Sequence, residues 1–133
     1  MKIIFTLLAL LSFSFASDAF LHNYQKALEV AQAEKKEIYM LVTSESCRWC
    51  RKFENETLTD EATMKMLKEN FVLLALTRDV DYIPENLVAS RVPKHFFLTK
   101  KGEIITSFLG FWNPEDFASF IEDVKKKIKA ENE

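Results

Sequence analysis

The residues equipped for chemistry lie close together. The two cysteines of this 133-residue chain, Cys47 and Cys50, stand three positions apart in Ser46-Cys47-Arg48-Trp49-Cys50-Arg51-Lys52-Phe53. Two thiols at that spacing can exchange with an external disulfide: one attacks, and the other resolves the mixed disulfide and releases the partner. Other uses of the pair compete with this one. A structural bridge over so small a ring removes little entropy from the unfolded chain. Zinc needs two further ligands, and the histidines, His22 and His95, have no finger-like spacing to the cysteines. Haem attachment needs histidine directly after the second cysteine, where this chain has Arg51. Redox exchange is the reading the spacing favours. It implies no metal and no cofactor other than the cysteine pair.

That chemistry requires elements that hold the pair in place. Glu37-Ile38-Tyr39-Met40-Leu41-Val42-Thr43 is short and apolar, the pattern of a buried strand, and the residues from the cysteines through Phe53 read as a helix. A strand, a polar loop and a helix in that order put Cys47 at the helix N-terminus, with Cys50 one turn further in. Free amide hydrogens and the helix dipole favour a thiolate there, and Arg48, Arg51 and Lys52 add positive charge. A thiol of pKa about 8.5 is only ~3% ionised at pH 7; a depression of about two units, worth roughly 2.7 kcal/mol, makes the thiolate the major species. Cys47 is therefore the expected nucleophile and Cys50 the resolving thiol.

Cys47-Arg48-Trp49-Cys50, followed by Val92-Pro93 ahead of an apolar run, resembles the thioredoxin superfamily. More narrowly, the chain resembles exported thioredoxin-like proteins and the carboxy-terminal domain of the transmembrane disulfide-transfer protein of bacterial periplasms. Ala33-Glu34-Lys35-Lys36-Glu37 matches the lysine-rich turn before the motif strand, and Glu54 through Phe71 matches the second helical stretch after it. The resemblance spans roughly residues 20–129. It implies an α/β thioredoxin-like fold, with a mixed sheet of four or five strands and helices on both faces. It also implies a cis Val92-Pro93 bond facing the cysteines, with Val92 offering main-chain hydrogen bonds to a client beside Arg48 and Trp49. Departures from the family pattern are visible. Leu41 occupies the place of a buried aspartate, Ser46 that of a tryptophan, Arg91 that of a glycine and Lys94 that of a threonine. Water, Glu45 or Glu54 would then take the resolving thiol's proton. Trp49 has two readings, partner docking or simple packing.

The amino terminus reads as a signal peptide over residues 1–16. Lys2 is the charged start, Ile3 to Leu11 the apolar stretch and Ser14-Phe15-Ala16 a small-x-small cleavage pattern, leaving one domain over 17–133. Export places the pair where disulfides are made and edited, in a periplasm or outside the cell. The expected partners are protein thiols and disulfides of that compartment and a membrane electron donor, acting on a monomer. A net charge of −2 gives no reason to expect nucleic acid or an anionic membrane. The function expected is a protein thiol-disulfide oxidoreductase working as a reductase. The alternatives are a disulfide oxidase and a non-catalytic module that holds a partner, for which Phe111-Trp112 is a candidate patch.

The remaining chain supplies the scaffold. Asp18 or Asn23 caps a first helix that carries Tyr24, Leu28 and Ala31 on one face. Thr59 is read as the cap of a helix bearing Met64, Leu67 and Phe71, and Phe71 to Leu76 as a buried parallel strand. Asp79 and Asp81 read as a solvated loop, and Pro84 through Arg91 as a short helix. Residues 95–99 and 104–109 flank Lys100-Lys101-Gly102-Glu103 as a hairpin, and His95 is expected to pack within its strand. Asn113-Pro114-Glu115-Asp116 opens a last helix with Phe117, Phe120, Ile121, Val124 and Ile128 on its apolar face.

Overall fold

The computed structural model describes residues 19–133; the proposed signal peptide lies outside them. Alternation along a central strand sets the architecture. In β1 (Glu37–Thr43), Ile38, Met40 and Val42 enter one apolar layer, while Tyr39 and Leu41 enter the other. Both faces are buried, so the strand has no wet side and reads as a continuous apolar run. β2 (Phe71–Thr77) pairs with it in parallel on one edge. β3 (Lys94–Leu98) pairs antiparallel on the other edge, and β4 (Ile104–Leu109) pairs antiparallel with β3. The sheet order is β2-β1-β3-β4, a mixed four-stranded sheet. A single parallel bridge between Leu21 and Leu74 extends it beyond β2, so a fifth strand is present only as one residue.

Helices cover both faces. α1 (Tyr24–Glu34) buries Ala27 and Ala31 in the first layer. α2 (Arg48–Glu56), α3 (Glu61–Asn70) and α4 (Pro114–Glu131) put Phe53, Leu67, Phe117, Ile121 and Val124 into the second. Asn23 caps α1, its side chain accepting from the Lys26 amide at 2.9 Å, and Asn113 caps α4 ahead of Pro114. At the β3–β4 turn, Gly102 has φ +88, a conformation that favours glycine, and a Cβ there would displace the tip of the Tyr24 side chain.

Three local expectations need correction. The cap of α3 is Asp60, whose carboxylate accepts from the Thr63 amide at 2.9 Å and hydroxyl at 2.7 Å. Thr59 instead turns its hydroxyl back to the Asn55 carbonyl at 2.6 Å. Residues 84–91 form a single 3-10 turn, Glu85–Leu87, followed by extended backbone at Val88 and a bend from residue 90. Leu87 and Ala89 are buried while Val88 is exposed, which is the two-residue period of extended chain. Phe71 belongs to β2, although its amide closes α3 on the Leu67 carbonyl.

Candidate active site

The strand-to-helix junction puts the cysteines at one end of the sheet. β1 ends at Thr43, and Cys47 is the N-cap of α2, with extended backbone at φ −125 and ψ 102. Its Sγ accepts the Cys50 amide at 3.1 Å. The two sulfurs are joined as a disulfide, with Cα atoms 5.2 Å apart. Cys47 is 9% exposed and Cys50 fully buried, so only the first sulfur is open to a partner. In the dithiol form, the amide aimed at Sγ and the helix N-terminus both favour negative charge on Cys47.

Two other loops reach the same end. β3 is antiparallel to β1 and pairs Lys94 with Val42; β4 pairs Leu109 with Lys94. The segment entering β3 and the segment leaving β4 therefore both lie beside the Ser44–Cys47 loop. Val92-Pro93, with a cis peptide bond, enters β3, and the Pro93 carbonyl accepts the Gly110 amide at 2.8 Å. Phe111 then approaches Trp49, ring centroids 6.3 Å apart, and Trp49 stays half exposed. The Lys52 ammonium sits over both rings, 5.2 Å from Trp49 and 4.6 Å from Phe111, and the Arg48 guanidinium is 5.7 Å from Trp49. Trp112 turns the other way and packs on Phe108 and Phe120. Both residues of the candidate patch pack against the second apolar layer, and Phe111 also reaches Trp49 and Lys52.

Beneath the cysteines, Leu41 is buried where a carboxylate was missing from the family pattern. Its partner across the sheet is His95, which is also buried. The His95 ring bridges the Tyr39 hydroxyl at Nδ1 (2.7 Å) and the Gly110 carbonyl at Nε2 (2.8 Å). A carbonyl only accepts, so Nε2 carries the hydrogen and Nδ1 of the neutral ring accepts from Tyr39. Burial drives the His95 pKa down to about 4, against the Gly110 bond that raises it and with help from the Lys94 charge. Burial likewise holds the Tyr39 phenol well above its ordinary value. The ionisable group buried below this site is therefore a neutral imidazole. Glu54 lies one helical turn beyond Cys50, pairs with Arg51 at 3.4 Å and lines a cavity together with Leu41.

Several supports escape sequence reasoning. Arg78, just after β2, donates from Nη1 to the Ala89 and Ser90 carbonyls at 3.3 and 2.7 Å, tying down the loop that leads to Pro93. The Thr57 hydroxyl donates to the Trp112 carbonyl at 2.6 Å, tying the end of α2 to the loop after β4. Gly110, at φ +98, turns its carbonyl to His95 and its amide to Pro93. Among the described residues no three His, Cys, Asp or Glu side chains converge as a metal site. Asp79 and Asp81 part company: Asp81 accepts from the Thr77 amide at 2.7 Å, while Asp79 lies 3.7 Å from the Arg78 guanidinium.

Comparison with known proteins agrees with this geometry. The model of the thioredoxin-like domain family matches residues 24–125. Spermatogenesis-associated protein 20 of Rattus norvegicus is 30% identical over 103 residues, covering 69% of this chain and 13% of its own length. The chain spans only 7 to 13% of the length of such curated relatives. A thioredoxin from Thermus thermophilus superposes with TM-score 0.70 at 24% identity, over 84% of this chain and 91% of that one. The oxidised DsbD C-terminal domain of Neisseria meningitidis gives TM-score 0.62 at 18% identity, over 74% and 90%. With a mixed sheet clothed in helices on both faces and a cysteine pair at the head of α2, the chain belongs to the thioredoxin-like domain family.

Proposed function

We propose that the protein is a thiol-disulfide oxidoreductase of exported proteins, working in the reducing direction. The observation that carries this is the placement of Cys47. It is an N-cap whose sulfur accepts a helix amide, it keeps some exposure while Cys50 has none, and it shares a sheet end with Val92-Pro93. The Cys47 thiolate attacks one sulfur of a client disulfide and forms a mixed disulfide; the client's other sulfur leaves as a thiolate and takes a proton. Cys50 loses its proton to water or to Glu54 and attacks the Cys47 sulfur. The second client thiol departs, and two electrons have passed from the pair to the client. Val92 offers its main chain to the extended client, with Arg48 and Trp49 beside it. A donor dithiol restores the pair by the same exchange run backwards.

Export is supported by Lys2, the apolar run Ile3 to Leu11 and Ser14-Phe15-Ala16, and it gives a periplasmic or secreted protein cleaved after residue 16. The reducing direction is supported by resemblance to the disulfide-transfer domain, and implies a membrane electron donor serving a monomer. The test is trapping. A Cys50→Ser protein, reduced and mixed with a disulfide-containing client, accumulates a mixed disulfide through Cys47 that intact mass resolves; Cys47→Ser accumulates none. Absence of the adduct, with no insulin reduction by the parent protein, overturns the reading. The half-exposed Trp49 favours one other function, a module that only holds a partner. Partner binding that survives replacement of both cysteines by serine, without turnover in the parent, selects it.

A further inference from the structure

Some surface cations are paired with carboxylates and others, such as Lys35, Lys100 and Lys126, have no such partner among the described residues; four of the unpaired ones gather around the cysteine pair. Lys26, Lys65, Lys125 and Arg78 each lie within 4.0 Å of a carboxylate, and so does Arg51 at the motif itself. Arg48, Lys52, Arg91 and Lys94 have no ion-pair partner among the described residues. A main-chain bond joins the segments that carry them, with the Lys94 ammonium 5.7 Å from the Phe96 ring. Lys52 and Arg48 stand at Trp49, and Lys52 also covers Phe111. Phe111 follows Gly110, whose amide is bonded to Pro93, and Lys94 is the next residue. Arg91 and Lys94 then line a groove of about 420 Å³ with Val88, Ala89, Ser90 and Leu109. No carboxylate lines that groove, and Val88 and Leu109 leave apolar surface open in it. The nearby carboxylates are outside the groove: Glu54 is held by Arg51, Glu45 and Asp79 line an adjacent cavity with Ser44, Ser46 and Arg78, and Glu85 is exposed on the turn before Val88. A chain of net charge −2 thus presents a positive, partly apolar track at its redox end.

We propose that this track takes an extended acidic segment of a client protein. Asp or Glu on one side of the client cysteine meets Arg48 and Lys52. Asp or Glu on the other side meets Arg91 and Lys94, with an apolar side chain between Val88 and Leu109. The inference rests on the proposed oxidoreductase function and adds the class of client. Complementary charge at this range acts chiefly on encounter, so the client is selected by rate and the selection is salt-sensitive.

The test uses the reduced mature chain and three peptides of equal length. Each has one cysteine blocked as a mixed disulfide with 2-mercaptoethanol and flanked by Asp/Glu, by Ser/Gln or by Lys/Arg. In each reaction the protein dithiol becomes a disulfide, and the peptide disulfide becomes peptide thiol and 2-mercaptoethanol. Rates are divided by those with dithiothreitol, an uncharged dithiol, which removes the intrinsic reactivity of each peptide. The acidic peptide is expected to react roughly tenfold or more faster than the basic one at low ionic strength, with the advantage falling toward parity at high salt. The Arg91→Glu, Lys94→Glu double variant is expected to remove or invert the preference. Equal normalised rates at low salt overturn this inference and leave the oxidoreductase reading standing, as do equal rates accompanied by capture on phosphatidylglycerol vesicles. Failure to reduce any peptide overturns the oxidoreductase reading. Binding of the acidic peptide to the Cys47→Ser, Cys50→Ser protein, followed by tryptophan fluorescence, then decides the track by itself: salt-sensitive binding supports it, and none refutes it.

Discussion

Acidification from pH 7 to pH 4 forces a proton toward a ring that the fold holds neutral. His95 is fully buried, gives its Nε2 hydrogen to Gly110 and uses Nδ1 to accept from Tyr39, so a second ring proton on Nδ1 finds an acceptor in the Tyr39 oxygen only if the hydroxyl hydrogen rotates away and gives up its own bond. Its pKa falls from 6.5 to about 4, through desolvation first, with Lys94 adding repulsion and the Gly110 bond opposing. The sign follows from linkage. Between these values the unfolded chain binds a proton that the folded chain refuses, so the contribution is complete above pH 6.5, is lost as pH falls, and changes no further below about 4. At 1.36 kcal/mol per unit the loss across the window is about 3 kcal/mol, a large share of the ~5–15 kcal/mol that holds a small domain together. Urea unfolding followed by far-ultraviolet circular dichroism at pH 7, 6, 5 and 4 measures it, with His95→Gln as reference. The glutamine amide can give to Gly110 and accept from Tyr39 but does not titrate. The variant is expected to be less stable at pH 7, because the ring stacks on Phe108 at 4.5 Å, and the gap is expected to close by about 3 kcal/mol toward pH 4. All groups other than residue 95 are common to the two proteins, so the comparison isolates the ring. Parallel stability profiles for the two proteins would refute the neutral-ring argument.

Gly110→Ala and Gly102→Ala separate strain from collision. Both glycines have positive φ, but a Cβ at 110 meets nothing within 4 Å, whereas one at 102 meets the Tyr24 hydroxyl. Chemical denaturation is expected to show a loss of about 1–2 kcal/mol for both variants, with Tyr24 displaced only in Gly102→Ala. Asp60→Ala is expected to lower the melting temperature more than Thr59→Ala, with Asp60→Asn between, since the Asp60 carboxylate takes two bonds from Thr63. The Thr63 bonds hold the Asp60 carboxyl below 3.8, so its contribution is present at neutral pH and disappears only as pH falls below that value. Equal melting temperatures for the Asp60 and Thr59 alanine variants would contradict the assigned cap.

What could be read ahead of the structure was whatever local pattern dictates. An unbroken apolar run marked β1, Asn113-Pro114 marked the start of α4, and Gly102 between apolar runs marked the β3–β4 turn. The supports of the site were invisible because their partners meet only through sheet register. Tyr39 and His95 are 56 positions apart, His95 and Gly110 15, and Arg78 reaches carbonyls 11 and 12 positions ahead. Nothing in the sequence of His95 marks it as anything but a strand residue until β1 brings Leu41 and Tyr39 beside it. The 84–91 stretch misled for a related reason. Pro84 suits a helix start, but the residue before Pro93 is disfavoured in a helix and Arg78 takes the Ala89 and Ser90 carbonyls that a longer helix would need. At Thr59-Asp60 two capping side chains compete, and the carboxylate wins because it accepts from both the amide and the hydroxyl of Thr63.

The most direct measurement is a thiolate titration of the reduced Cys50→Ser protein, by absorbance near 240 nm and by the pH dependence of iodoacetamide alkylation. A Cys47 that caps α2, accepts a helix amide and stands beside Arg48 is expected to ionise about two units below the ordinary ~8.5, with alkylation following the same curve. A Cys47 that titrates at its ordinary value, in a protein whose bridge resists dithiothreitol, would contradict the account.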